Sequence, residues 1–255
     1  MKERINIIMS VATGLFLVAL ITGCKKEDND KDEARVFSAS GDITSTLTTF
    51  RNLLGNLNST TGVTTGRREI NWDGVPDSLD GKKLRNDFFN RTDVNAPVSL
   101  QRGAIYAGDD NAMVSKSGFS EIDPNASAEF AAFSGNKTFA VVNATLWPVT
   151  FKVAGQTTDA TVNAFGAVFS DVDKTNSTFI EFFDGQTSLG RFYAPAHDNT
   201  SSFSFLAVYF PNTKVTQVQV GHEGMLIDGQ KDISNGGDKD LVVLDDFIYS
   251  EPLVK

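Results

Sequence analysis

Short runs rich in valine, phenylalanine and threonine, set between turns of Gly, Asn and Asp, predict a mainly β protein. The expected fold is an antiparallel β-sandwich, jelly-roll-like, with one short N-terminal helix. Period-two alternation after residue 100 outweighs any helical spacing. The 20 phenylalanines, in a chain that is 40% hydrophobic, are enough for a packed core. The sandwich domain is expected to run from 42 to 255.

The helix comes first. Ile43, Leu47, Phe50 and Leu54 recur at helical spacing, Asp42 stands where a cap is needed, and Gly55 is a natural stop. The intervening threonines lower intrinsic helicity, so this segment must rely on packing against the rest of the fold. The Gly-, Asn- and Thr-rich stretch as far as Gly66 reads as loop.

Strands follow from about Gly103. Phe139 to Val153 is strongly apolar and is interrupted by Pro148, whose missing N–H implies an edge, a bulge or two short strands. Thr178 to Phe183 and Ser188 to Tyr193 flank Asp184-Gly185 and predict a hairpin. Phe203 to Phe210 is apolar on both faces, as in a strand covered on both sides. Lys214 to Val220 alternates, with Val218 and Val220 on one side and Gln217 and Gln219 on the other. Leu241 to Tyr249 is read as the last strand.

Ahead of the body, Lys2 and Arg4 precede an apolar run from Ile5 that ends in Ile21-Thr22-Gly23-Cys24, and Cys24 is the only cysteine. This segment closely resembles the lipobox of bacterial lipoproteins, with Ile21 where leucine is usual. The resemblance implies that residues 1–23 are a lipoprotein signal peptide and that Cys24 carries the lipid attaching the protein to a membrane surface. Residues 25–33 contain no apolar side chain, so 24–41 are expected to form a solvated, disordered tether. An acidic tract here is similar to the export tag of some Gram-negative lipoproteins, implying an outer-membrane, cell-surface location; a plain spacer reads equally well. With Cys24 acylated, no thiol remains for a disulfide, for thiol catalysis or for a cysteine metal site. A net charge of −9 without a basic stripe argues against nucleic acid and anionic lipid as partners.

Gly66-Arg-Arg-Glu-Ile-Asn-Trp-Asp-Gly-Val-Pro76 is dense in residues that make directional contacts. Together with Phe165 to Asp173 and Asp245-Asp-Phe-Ile-Tyr-Ser-Glu-Pro252, it resembles a family of uncharacterised secreted bacterial proteins, which implies no established activity. More loosely, the Asp-Asp-Phe-Ile-Tyr ending is similar to the final strand of jelly-roll carbohydrate-binding modules, an analogy of fold.

Three acidic clusters offer oxygen ligands for a hard cation such as calcium: Glu69 with Asp73, Asp171 with Asp173, and Asp245 with Asp246. Asp171, Asp173, Asp245 and Asp246 are the candidate metal ligands. The alternative is that these acids cap turns and pair with Arg67, Arg68 or Arg102. Sugar rings stack on flat exposed aromatics, and Tyr193 and Trp72 are the candidate ligand-binding residues. His197 and His222, the only histidines, stand in polar loops and are read as solvated. With no Gly-x-Ser-x-Gly or His-Glu-x-x-His pattern, no catalytic residue is assigned. The expected function is a membrane-anchored surface lipoprotein acting as a ligand-binding or adhesion module for glycans. A polysaccharide-acting enzyme and a non-catalytic structural protein of the cell envelope are the alternatives.

Overall fold

The chain enters a strand, β1 (Arg35–Ser40), before helix α1 (Thr44–Leu54) and strand β2 (Arg67–Ile70). The structure is a computed structural model describing residues 33–107, 111–197 and 203–255. The expected signal peptide, Cys24 and the first half of the expected tether lie outside them. Among the described residues no helix is long and apolar enough to cross a membrane.

After β2 come β3 (Ala104–Tyr106), β4 (Asn111–Ser115), β5 (Thr138–Val142), β6 (Leu146–Phe151), β7 (Ala160–Thr161) and β8 (Ala164–Ser170). β9 (Phe179–Asp184) and β10 (Thr187–Tyr193) form the predicted hairpin, with Gly185 at φ +60° in its turn. β11 (Phe203–Tyr209), β12 (Gln217–Gly221), β13 (Val243–Ser250) and β14 (Leu253–Val254) follow. A seven-stranded sheet runs β1-β11-β8-β13-β5-β4 with β2 added to β13, a five-stranded sheet runs β10-β9-β12-β6-β3, and β14 pairs with β7. Neighbouring strands are antiparallel. Among the described residues the fold is the predicted antiparallel sandwich with one α-helix.

Alternation places the core. Val218 and Val220 of β12, with Trp147 and Phe182 beside them, face Phe165, Leu206 and Phe247 of the larger sheet. On the other side of that sheet, α1 lays Leu47, Phe50 and Leu54 onto Val168, Phe205 and Ile248. β8 is therefore covered on both faces and buried along its whole length. A Cβ at Gly166 would come within 2.3 Å of the Ala207 Cβ, so a glycine lets β8 and β11 approach. The helix signals act as read: Asp42 Oδ1 accepts the Thr44 N–H at 3.0 Å, and Gly55 ends the helix at φ +88°. Phe50 lies 5.3 Å from Phe37 and 5.8 Å from Phe205, ring to ring.

Three details differ from the sequence reading. The folded body begins at Arg35, inside the expected tether, because β11 needs a partner on its outer side and Phe37 and Ala39 provide apolar contact there. The break after Phe139 falls at Asn143, φ +67°, and not at Pro148. Pro148 sits within β6; its carbonyl accepts the Ala107 N–H, so its missing N–H faces the side where β3 has already ended. Finally, β14 follows β13, so Leu241 to Tyr249 does not hold the last strand.

The loop 116–137 and the loop 222–242 cover one end of the larger sheet. Phe119, Phe130, Leu226 and Leu241 pack there on Met113, Ala140 and Val243.

Candidate functional site

The first and last of the sequence motifs turn out to be one structure. β2 and β13 pair in register, Ile70 with Phe247 and Arg68 with Tyr249. Arg68, 1% exposed, is bidentate to Glu251 at 2.6 and 2.7 Å, and Glu251 also accepts from Asn58. Arg51 of α1 reaches Glu69 at 2.7 Å and Asp246 at 3.1 Å, pinning the helix to both strands. Glu69 also pairs with Arg67, while Asp73 accepts the Asn136 N–H, so Glu69 and Asp73 do not form one site.

Trp72 is 0% exposed, stacked 3.9 Å from Phe139, with Nε1–H donating to the Asp245 carbonyl at 2.7 Å. It is a core residue and presents no face to a ligand. Asp245 and Asp246 lie in the irregularity of β13 between Leu244 and Phe247. Asp245 Oδ2 accepts the N–H groups of Phe133 and Ser134 at 2.6 and 2.9 Å, and Asp246 accepts from Ser134 Oγ and Arg51. These two carboxylates hold the loop before β5 and the helix; they do not join Asp171 and Asp173. Burial, reinforced by the neighbouring Asp246, pushes the Asp245 carboxyl up to about 8 against those backbone donors.

Asp171 and Asp173 gather a different set of acids. One oxygen each of Glu129, Asp171 and Asp232 lie within 4.8 Å of one another, and so do those of Asp173, Asp232 and Asp240. Three loops supply them: β4–β5 gives Glu129, β8–β9 gives Asp171 and Asp173, and β12–β13 gives Asp232 and Asp240. Asp232 accepts the N–H groups of Ser234 and Leu241, both at 2.7 Å, and Asp240 those of Asp173 and Lys174. Asp171 is 0% exposed, and neither of its oxygens has a hydrogen-bond partner. Burial, with the surrounding carboxylates adding to it, pushes Asp171 up to about 8 and Asp173 to about 6, and raises Glu129 and Asp240 as well. The nearby lysines do not relieve this charge: Lys174 and Lys239 both point to Glu223, at 2.6 and 3.8 Å. Glu129, Asp232 and Asp240 carry no signal in the sequence, because each arrives from a loop remote from Asp171.

The outer face of the five-stranded sheet is the second candidate surface. Antiparallel register sets out its rows: Leu146, Gly221, Phe179 and Tyr193 in one, Pro148, Gln219, Glu181 and Arg191 in the next, then Thr150, Gln217 and Phe183. Tyr193 is 41% exposed and meets Phe179 edge-on at 6.0 Å. Arg191 lies 4.0 Å from the Phe179 centroid while holding Glu181 at 2.7 Å. A Cβ at residue 221 would come within 2.2 Å of the Phe179 ring, so Gly221 lets that ring lie flat across the sheet. Gln217 and Gln219 point outward here, as their alternation predicts.

His222 is 7% exposed, with Nδ1 2.8 Å from the Gly224 carbonyl oxygen, and burial lowers its pKa; it is not the solvated histidine expected.

No protein-family model matches the chain, and no curated protein matches it. Among solved structures, the carbohydrate-binding module CsCBM6-3 from Clostridium stercorarium, in complex with cellobiose, is similar over 58% of this chain and 92% of its own length. The identity is 13% and the TM-score 0.30, a level that carries no argument about ligand. Fold and surface together define an antiparallel β-sandwich with one open, aromatic-bearing sheet face and a buried cage of carboxylates at one end.

Proposed function

We propose that the protein is a lipid-anchored module of the outer-membrane cell surface that binds neutral glycan chains on the outer face of its five-stranded sheet. The observation that carries this reading is the row that ends in Phe179 and Tyr193, lying beside the polar row of Gln219, Glu181 and Arg191. A pyranose ring is apolar on its faces and rimmed with hydroxyls, so it is matched by an exposed ring flanked by amide, carboxylate and guanidinium groups. Membrane attachment is supported by Ile21-Thr22-Gly23-Cys24 after the apolar leader.

A panel of soluble polysaccharides measured against the protein tests the binding. Tyr193→Ala should weaken the best ligand by about 1 kcal/mol, roughly fivefold in Kd, with an unchanged melting temperature. No binding across neutral and acidic glycans would move the reading to a structural role in the envelope. Release of reducing ends during incubation would move it to an enzyme.

A further inference from the structure

Independently of the glycan reading, we infer a calcium site at one end of the sandwich, held by Glu129, Asp171 and Asp232 and closed by Asp173 and Asp240. The acids alone would not justify it. The deciding group is Asp171, which is wholly inaccessible to solvent and whose two oxygens find no donor in the protein. Protonating it satisfies at most one oxygen, with a neighbouring carboxylate as acceptor, and leaves the other without a donor. A divalent cation set among the three carboxylates gives the oxygens a partner and offsets two of their three negative charges.

The ligand chemistry selects the ion. Every side chain in the two groups is a carboxylate; His197, whose backbone N–H donates to the Val172 carbonyl between Asp171 and Asp173, belongs to neither, so the set suits a hard cation and not zinc. Calcium takes oxygens at about 2.3–2.6 Å, so two of its ligands are never more than about 5 Å apart. The Glu129, Asp171 and Asp232 oxygens, all within 4.8 Å of one another, meet that limit. Magnesium prefers to keep several of its waters, which suits a cage of buried side chains poorly. The protein also orients the ligands: Asp232 and Asp240 are each held by two backbone N–H groups, which leave further lone pairs for metal. A bound ion would tie three loops together. Two of them, β8–β9 and β12–β13, run directly into Phe179 and out of Gly221, so the same ion would fix the end of the open sheet face.

The test uses the full-length protein stripped with chelator, then titrated with calcium by calorimetry and melted with and without the ion. Saturable binding and a rise in melting temperature of several degrees at millimolar calcium are expected. Asp171→Asn should weaken calcium at least tenfold, yet melt no lower than the unsubstituted protein in chelator, because it removes a buried charge without opening a cavity. Asp245→Asn, outside the cage, should keep the full calcium response. Identical melting curves in calcium and chelator, or an Asp171→Asn affinity equal to the original, would overturn the site. An equal shift with magnesium would overturn the choice of ion. Should Asp171→Asn fail to fold, Glu129→Gln is measured in the same way, with the same tenfold loss expected.

Discussion

Asp245 shows how a single buried carboxyl can be both useful and costly. Its Oδ2 fastens Phe133 and Ser134, while its Oδ1 has no partner, and burial beside Asp246 raises its pKa to about 8. The folded chain therefore keeps a proton that the unfolded chain loses near the ordinary carboxylate value of 3.8. Its contribution to stability is complete below that value and is lost as pH rises through about 8. His222 acts in the opposite sense around its ordinary value of 6.5, so the window lies above pH 7. There Asp171, also raised to about 8, adds a fall of the same sign, and Asp245→Asn removes only its own share. In chelator, the urea midpoint should fall from pH 7 to pH 9, and Asp245→Asn, which keeps a carbonyl acceptor for both N–H groups, should flatten the fall. Parallel curves for the two proteins would contradict this account. None of it can be read from the string Asp-Asp-Phe-Ile-Tyr. A pair of acids near a strand looks the same whether it binds metal, an arginine or a loop, just as Trp72 and Tyr193 look alike until one is found in the core and the other at the surface.

At the scale of elements, the β2–β13 ladder depends on a buried ion pair. Arg68 and Glu251 are almost fully enclosed, and Arg68 also donates to the carbonyls of Asn58 and Thr60. Removing one partner leaves the other charged and buried, so Arg68→Met should cost about 3–5 kcal/mol in urea unfolding. The double change Arg68→Met with Glu251→Leu should recover much of that loss; a double variant as unstable as the sum of the singles would show that the pair adds nothing beyond packing. α1, the β9–β10 hairpin and β12 are legible in the sequence from a cap, a turn or one wet face, and β5, β6, β11 and β13 from their apolar runs. β8, as apolar on both faces as β11, stands out only as part of a motif, and the arginines of β2 look like surface charge. Of the carboxylate cage, Asp171 and Asp173 stand two residues apart, whereas Asp232 and Asp240 share a loop without close spacing, so only the first pair is legible from spacing.

For the molecule as a whole, composition was the better guide. Abundant Phe, Val and Thr between turn residues pointed to a sandwich, and a sandwich is found. The proposed attachment rests on Cys24, and it makes a direct prediction. Cys24→Ala should abolish palmitate labelling and move the protein to the aqueous phase of a detergent partition; labelling that persists would remove the anchor.

The placing of β13 has a kinetic consequence. This strand sits inside the larger sheet, between β8 on one side and β5 and β2 on the other, yet it is synthesised after every other strand of that sheet. Its bonds to β2 close loops across most of the chain, and the Arg68–Glu251 contact spans 183 residues. Such distant pairings are slow to form and hard to nucleate early. A nascent polypeptide that has not yet delivered Val243 can build the β9–β10 hairpin and α1 but has nothing with which to close the sheet. β8 stays open along one side, Trp72 lacks its acceptor, and the exposed phenylalanines need shielding until β13 arrives.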